Sequence, residues 1–257
     1  MNAASTVGSP AEFRQILGIR FFVGKARRAI DLLQNGGLLV VPAAPALKNV
    51  SVDIAYREAL LEADLVITDS SLMVMVWNIL QRDNIRRLSG LEYLAELLTS
   101  PDFRDLSRPF WIMANPASAS TNVKWLREQG IELQPDDVYI APTYGAVMAD
   151  ETLLERVRAQ RPRHIIVTLG GGTQEKLGLY LKQHLSPVPA IHCIGAAIAF
   201  LSGDQVEIPM WADRFYLGWL FRCISDPKRY VPRYWAARKL ITLMLRYRGR
   251  DPIATAN

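Results

Sequence analysis

Three consecutive glycines between an apolar strand and a polar helix start are the clearest chemical feature of this sequence. The segment reads Leu169-Gly-Gly-Gly-Thr-Gln-Glu175 and follows a run of apolar residues that begins after His164. Glycines let a backbone approach a ligand closely, because no Cβ atom intervenes. A helix that begins there directs unpaired N–H groups and its positive dipole end at one point, where an anion is stabilised. The pattern predicts a phosphorylated or nucleotide-linked substrate; the alternative is a tight strand-to-helix turn.

The glycine loop, residues 170–175, differs from the best-known phosphate-binding motifs. No Gly-Lys-Ser/Thr follows, as a Walker loop requires, and Gly170-x-Gly172 is followed by Thr-Gln-Glu, unlike a dinucleotide fingerprint. The substrate-binding candidates in this loop are Gly170, Gly171, Gly172, Thr173, Gln174 and Glu175. Tyr144, beyond a strand predicted at 138–140, is a further substrate-binding candidate.

Asp69 directly follows an apolar run at residues 63–68 that is typical of a buried strand. A carboxylate in that position is well placed to act as a general base. The alternative is an N-cap for the helix that follows, a position that Asp favours strongly.

Arginines form the third group of candidates. Arg87 precedes Leu88-Ser-Gly90, and Arg222, Arg229 and Arg233 recur near the C-terminus. Guanidinium groups bind phosphate oxygens in a planar fork. The four arginines are therefore substrate-binding candidates, whereas the alternative is a solvated basic face.

The positive charge is concentrated in the C-terminal segment. Residues 214–250 carry ten Lys/Arg and a single acid, Asp226, although the whole chain has a net charge of only +5. Such a segment suits phosphates, an anionic membrane surface or nucleic acid. The segment has no recognised nucleic-acid motif, so nucleic acid is not an expected partner.

The last predicted helix, at residues 235–250, is basic on one side and apolar on the other. Its basic side carries Arg238, Lys239, Arg246 and Arg250. Such a helix lies in a membrane interface or packs on the domain by its apolar face, and the pattern alone leaves both open.

The remaining composition indicates a cytoplasmic protein without a metal site. His164, His184 and His192 lack ligand-like spacing. Cys193 and Cys223 lie among apolar residues, as buried thiols do in a reducing compartment. The N-terminal ten residues lack the order of a signal peptide, and the longest uncharged run, 185–203, is a poor membrane span.

Strands and helices alternate along the chain with short connections, which predicts an α/β fold with a mostly parallel, Rossmann-like sheet and helices on both faces. In such sheets ligands bind at the carboxyl ends of the strands, so we expect Asp69 and the glycine loop to meet at one edge. We expect a flexible leader at 1–17, an α/β catalytic domain at 18–203 and a basic helical C-terminal appendage at 204–257. The predicted strands are 19–23, 38–41, 63–68, 109–113, 138–140, 164–169 and 190–194. The predicted helices include 25–34, 45–62, 72–80, 91–98, 118–129 and 151–159.

These segments, taken in order, resemble the WecG/TagA/CpsF glycosyltransferase family from about residue 18 to residue 234. The similar motifs are Ala63-Asp-Leu-Val-Ile-Thr-Asp69, Arg87-Leu-Ser-Gly90, Leu169-Gly-Gly-Gly-Thr-Gln-Glu175, Gly195-Ala-Ala-Ile-Ala-Phe-Leu-Ser-Gly203, Pro209-x-Trp211 and the C-terminal signature from Leu217 to Tyr234. Each motif is weak alone, whereas their order is specific.

The resemblance implies an inverting, metal-independent enzyme that needs no cofactor. It would move a sugar from a UDP-sugar to a polyprenyl-diphosphate-linked saccharide, in cell-surface or exopolysaccharide synthesis. Asp69 would be the catalytic base, and the tail arginines would complete the diphosphate site. The enzyme would be peripheral on the inner face of the cell membrane, which it would reach through the C-terminal basic helix. A homo-oligomer remains open.

Five positions depart from the family pattern. Ser70 stands where the family has Gly after the Asp, Val41-Pro42-Ala43 replaces Thr-x-Asn, Gly172 replaces Pro, and Ala199 replaces a nucleotide-side Asp. The departures imply a donor other than N-acetylmannosamine, such as a hexose or a uronic acid. The alternative is a catalytically inactive relative that binds nucleotide or lipid and scaffolds a polysaccharide assembly complex.

Overall fold

The protein is built around one eight-stranded sheet. The computed structural model describes residues 9–105, 108–145, 147–205, 211–212 and 217–253. The strands lie in the order β1-β2-β4-β3-β8-β7-β5-β6, and every neighbouring pair is parallel except β1 and β2. The strands are β1 (Phe13–Ile16), β2 (Ile19–Phe22), β3 (Gly37–Val40), β4 (Leu65–Ile67), β5 (Phe110–Met113), β6 (Val138–Ile140), β7 (His164–Val167) and β8 (Ala190–Cys193). The predicted α/β class with a mostly parallel sheet is confirmed.

Helices cover both faces of the sheet. They are α1 (Ala26–Leu32), α2 (Ala44–Leu47), α3 (Ile54–Leu61), α4 (Ser71–Gln81), α5 (Gly90–Leu97), α6 (Pro101–Asp105), α7 (Pro116–Glu128), α8 (Glu151–Gln160), α9 (Thr173–His184), α10 (Ala197–Leu201), α11 (Gly218–Ser225), α12 (Pro227–Ala237) and α13 (Lys239–Tyr247).

The core has two halves because successive strand residues point to opposite faces. In β3, Leu38 and Val40 join the core half that packs on α3, α4, α8 and α9, whereas Leu39 joins the half that packs on α1, α5 and α7. Strands β3, β5, β7 and β8 are buried along their whole length. Apart from His164 and His192 these four strands carry no polar side chain, as is typical of a parallel sheet covered on both faces.

Two local expectations are corrected by the structure. Residues 13–16, which we expected in a flexible leader, form β1 and pair antiparallel with β2. The Leu17 N–H then donates to the carbonyl of Arg248, so a hydrogen bond joins the β1–β2 turn to the segment near residue 248. The helix predicted at 45–62 is two helices, α2 and α3, and the Asp53 carboxylate begins the second by accepting from the Tyr56 N–H.

The C-terminal helices are docked on the domain. Leu240 and Met244 of α13 are fully buried in the main core, and α13 packs against α4. The apolar face of this helix is therefore covered, as the packing alternative predicts, while its basic side chains remain exposed. Among the described residues, none of the helices combines the length and the apolar character needed to cross a bilayer.

Candidate active site

A cleft of about 390 Å³ opens at the carboxyl edge of the sheet. Its walls come from the segments that follow β3, β4, β5, β7 and β8, and α12 packs on α2 at its border. Asp69 and Gly170 both line this cleft. The sequence prediction that they share one edge of the sheet is thus correct.

Asp69 is oriented by two donors. Its Oδ1 atom accepts from the Gly90 N–H at 3.0 Å and lies 3.4 Å from Nη2 of Arg87. The Arg87 Nε also donates to the Asp69 carbonyl at 2.6 Å. No hydrogen bond to Asp69 Oδ2 is found within the described residues, so this oxygen can accept a proton from a ligand.

The N-cap of α4 is Ser70 and not Asp69. The Ser70 hydroxyl accepts from the Met73 N–H at 3.2 Å. Capping therefore does not account for the Asp69 carboxylate, and the alternative interpretation of this residue is wrong.

The glycine loop supplies shape to the cleft. Gly170 and Gly171 line it, and a Cβ atom added at Gly170 would meet no atom within 4 Å. Gly172 is the N-cap of α9 and has a φ of +94°, a backbone conformation that residues other than glycine rarely adopt. The loop thus leaves open space beside the first turn of a twelve-residue helix.

Gln174, which lines the cleft, and Glu175, which is buried away from it, anchor this loop. The Gln174 side chain accepts from the Gly195 N–H at 2.6 Å and donates to Glu175 at 3.2 Å. The Glu175 carboxylate accepts from the Gly172 N–H at 2.6 Å. Burial raises the pKa of Glu175 above its ordinary value. These bonds fix the turn that joins β7 to α9 and tie it to the end of β8.

Several predicted binding residues do not line the cleft. They are Gly172, Thr173, Glu175 and Tyr144. The Tyr144 hydroxyl donates to Asp150 at 2.7 Å, and burial together with this bond raises the tyrosine pKa. Direct contact between these four residues and a ligand in the cleft is therefore not part of the function proposed below.

Arg222 has an unused donor. Its guanidinium lies 4.3 Å above the centre of the Phe200 ring and donates through Nη1 to the Tyr234 hydroxyl at 3.1 Å. Its Nε is buried and has no hydrogen-bond partner among the described residues. A buried N–H without an acceptor costs free energy, and this Nε is a donor that an anion in the cleft would satisfy.

Further charge surrounds Arg222. Arg233 also lines the cleft but is exposed, and the Arg229 side chain lies outside the part of the chain that the structure describes. Burial raises the pKa of Tyr234; the Asp69 charge raises it further, while Arg222 lowers it. The charges of Asp69 and Arg222 thus both act on the Tyr234 hydroxyl, which lies near both the carboxylate and the arginine side of the cleft.

Three of the residues that depart from the family pattern also line the cleft. Val41, Ala43 and Ala199 all line it, so three polar groups expected there are replaced by apolar ones. Within the described ranges, His, Cys, Asp and Glu form no group of three or more that could hold a metal ion.

Sequence reasoning missed a neutral and acidic part of the cleft wall. It comprises Asn115, Ser118, Asn122, Asp204 and Gln205. The first three belong to the N-cap and the first two turns of α7, which follows β5. The same rule that located Asp69, a polar group just beyond a strand, would have found Asn115.

The chain is similar to known proteins over most of its length. The glycosyl transferase WecG/TagA/CpsF family pattern matches residues 14–252. The chain is 26% identical over 211 residues to an N-acetylglucosaminyldiphosphoundecaprenol N-acetyl-beta-D-mannosaminyltransferase of Bacillus spizizenii strain W23, with 79% of each chain covered. It is 22% identical over 198 residues to the protein of the same name from Staphylococcus aureus strain MW2, covering 76% and 75% of the two chains.

Proposed function

Because the chain belongs to the WecG/TagA/CpsF glycosyltransferase family, we propose that it transfers a sugar from a UDP-sugar to a polyprenyl-diphosphate-linked saccharide. The relatives named above are transferases, and their names specify an acceptor sugar carried on a diphosphoundecaprenol. The cleft supports the same chemistry here, since it combines the Asp69 carboxylate, an open glycine turn and arginines.

The observation that carries the proposal is the unpartnered, buried Nε of Arg222. Charge-assisted bonds from guanidinium to phosphate are stronger than neutral ones, and a diphosphate supplies the acceptor that this atom lacks. Gly170 lies at the start of the glycine turn, where the N-terminus of α9 stabilises the same anion. A nucleoside diphosphate is therefore the group that suits this part of the cleft.

The transfer follows from the position of Asp69. The free Oδ2 would take the proton of the acceptor hydroxyl while that oxygen forms a bond to the anomeric carbon of the donor sugar. The bond from this carbon to the diphosphate breaks in the same step, and the electron pair leaves with UDP. Attack from the face opposite the leaving group inverts the anomeric configuration. Arg87 and the Gly90 N–H hold Oδ1, so the carboxylate points one oxygen at the acceptor.

The leaving group needs positive charge as the bond breaks. Arg222 and Arg233, together with the helix N–H groups at the glycine loop, would stabilise the new charge on UDP without a metal ion. This account makes the enzyme metal-independent, and a chelator is expected to leave the rate unchanged.

The lipid-linked acceptor places the protein at a membrane surface. The exposed basic side of α13, with Arg238, Lys239 and Arg246, would be attracted to anionic lipids on the cytoplasmic face. The apolar face of α13 is buried, so the attraction in our proposal is electrostatic rather than by insertion. Binding to anionic vesicles would weaken as salt rises.

The donor is proposed to be a hexose or a uronic acid of exopolysaccharide synthesis. Val41, Ala43 and Ala199 remove polar contacts from the cleft wall. A second candidate function, an inactive scaffold that binds nucleotide or lipid, rests on these same three positions.

One assay separates the two functions. Purified protein is incubated with a panel of UDP-sugars and a polyprenyl-diphosphate-linked saccharide, and released UDP and the extended lipid are measured. Transfer with at least one donor supports the enzyme. Tight UDP binding without turnover across the panel contradicts the enzyme and favours the scaffold.

A further inference from the structure

The cleft is divided by charge along its length. At one end lie Asp69 and Arg87, which follow β4; at the other end lie Ser118 and Asn122, on α7 after β5. The strand order β4-β3-β8-β7-β5 separates these ends by four strand intervals, about 19 Å at roughly 4.8 Å per interval. The glycine loop, after β7, lies between them. An extended sugar–diphosphate–nucleoside fits a cleft of this length.

The end of the cleft on α7 is built for neutral, hydroxyl-rich groups. Asp204 accepts a hydrogen bond from the Ser118 hydroxyl through Oδ2 at 2.7 Å, and Asn115 donates to Ser118 at 3.3 Å. Asn122 is 2% exposed and accepts from the Ser202 hydroxyl at 2.6 Å. Asp204, Asn122 and Ser118 all line the cleft, and the groups that they present are acidic or neutral.

Two polar atoms in this wall are unused. No partner is found within the described residues for Oδ1 of Asp204 or for Nδ2 of the nearly buried Asn122. An amide donor and a carboxylate acceptor side by side can bind a vicinal diol, whose hydroxyls both donate and accept. A second phosphate would be repelled by Asp204, so this end does not suit another anion.

Two hydrogen bonds of Gln205 hold this part of the cleft wall in place. The Gln205 N–H donates to the carbonyl of Ala199 at 2.9 Å. Asp204, the preceding residue, therefore lies close to Ala199, whose side chain is only a methyl group. The Gln205 side chain accepts from the Tyr230 hydroxyl of α12 at 3.2 Å. The acid at this end of the cleft is thus fixed by bonds to α7 and to α12.

We propose that Asp204, supported by Ser118 and Asn122, binds the ribose hydroxyls of the donor nucleotide. The inference rests on the proposed function, since it takes the diphosphate to lie at the glycine loop and Arg222. The donor sugar then lies at the Asp69 end and the nucleoside at the α7 end. A site that hydrogen-bonds a hydroxyl discriminates strongly against analogues that lack it.

Binding of UDP and 2′,3′-dideoxy-UDP to the full-length protein tests this assignment. Asp204→Asn is expected to weaken UDP binding about 10- to 100-fold. Dideoxy-UDP is expected to bind the unaltered protein equally weakly and to lose nothing further in the variant. The matched control is Asp136→Asn, an exposed acid outside the cleft, which is expected to bind UDP normally.

A second variant protects the test against misfolding. Ser118→Ala removes the bond that orients Asp204 and is expected to weaken UDP binding several-fold, again without effect on dideoxy-UDP. Unchanged UDP affinity in Asp204→Asn, or an equal loss for both ligands, contradicts the ribose assignment alone. If the unaltered protein binds neither UDP nor any UDP-sugar, the proposed function fails, and this assignment fails with it.

Discussion

The glycine loop and the C-terminal arginines, Arg222 and Arg233, line one cleft, yet their polar groups differ in how fully they are hydrogen-bonded. In the loop, Gln174 and Glu175 are buried and bonded to one another and to backbone N–H groups. In the tail, Arg222 keeps a buried Nε without a partner among the described residues. The polar side chains of the loop are therefore bonded within the protein, whereas Arg222 keeps a donor that is available to a ligand.

This difference separates shape from charge. A turn bonded in this way can position backbone N–H groups rigidly, and the side chains of Gln174 and Glu175 are already engaged in bonds within the protein. The unpartnered Nε of Arg222 adds no hydrogen bond to the folded state, and it can add a charge-assisted one to an anion that reaches it. Substitutions in the two regions should therefore act on different measurements, with stability changed in the loop and ligand binding changed in the tail.

Asp69 has one bonded carboxylate oxygen, Oδ1, and one without a bond within the described residues, Oδ2. Its substitution should have the largest effect on the rate of transfer. Asp69→Asn removes the proton acceptor at Oδ2 while the amide can still be held by Gly90 and Arg87. We expect transfer to fall about 10²- to 10⁴-fold in kcat, the usual contribution of a general base, with donor affinity changed little. Steady-state kinetics measure both values. Asp136→Asn serves as the control, and a variant of Asp69 that retains more than a tenth of the rate would contradict the assignment.

Arg222→Gln tests the charge side of the comparison. We expect UDP affinity to fall about 10- to 100-fold, since charge-assisted hydrogen bonds contribute roughly 1.5–3 kcal/mol. Titration calorimetry gives the affinity, and Arg127→Gln, an exposed substitution at the far end of α7, is the matched control. Normal UDP binding by Arg222→Gln would show that the unpartnered Nε is not the anion site.

Gln174→Ala tests the shape side. The Gly195 N–H would lose its acceptor in a buried position, so we expect the free energy of unfolding to fall by about 1–3 kcal/mol. Urea denaturation measures this loss. Gln183→Ala, exposed on the same helix, should be neutral. A stable Gln174 variant with strongly reduced UDP affinity would instead indicate that Gln174 contacts the ligand. It would contradict the conclusion that this loop acts through stability.

A third region, within the fold but outside the cleft, sharpens the distinction further. His164 bonds to His192 at 3.0 Å and to Asp102 at 3.0 Å, and His192 bonds to Tyr93 at 2.8 Å. Burial lowers the pKa of both histidines below their ordinary value near 6.5, although Asp102 opposes the shift at His164. These groups are partnered, so they should affect stability and not ligand binding.

The sign of the pH effect follows from these pKa shifts. The unfolded chain binds more protons than the folded protein below about pH 6.5, so stability falls as pH decreases from there. The slope should reach about 1.4 kcal/mol per pH unit for each histidine. Thermal unfolding between pH 7.5 and 5 measures it. His192→Asn should flatten the slope, whereas exposed His184→Gln should leave it unchanged; an unaltered slope in the His192 variant would refute the explanation.

The sequence predicted which strand ends meet at the cleft better than it predicted the edges of the fold. Asp69 and Gly170 could be placed together because both follow buried parallel strands, a relation that needs no tertiary detail. Strand β1 could not be predicted, since Phe13–Ile16 is ordered by pairing with β2, and the adjoining Leu17 by a bond to Arg248, more than 200 residues away. The docked face of α13 was equally undetermined, because the same amphipathic pattern suits a membrane and a protein surface.

The roles within the glycine loop were also beyond the sequence. Whether Glu175 faces a ligand or the interior depends on where β8 ends, because Gly195 fixes Gln174 and thereby the turn. The polar wall on α7 was missed because Ser118 and Asn122 are common helix-surface residues until Asp204 is brought against them by the fold.

A crystal structure of the protein with UDP tests the central claim most directly. We expect a diphosphate oxygen within hydrogen-bond distance of Arg222 Nε, with the β-phosphate beside Gly170 and the open Oδ2 of Asp69 facing the vacant sugar position. Diphosphate bound away from Arg222, with its Nε still lacking an acceptor, would contradict the account.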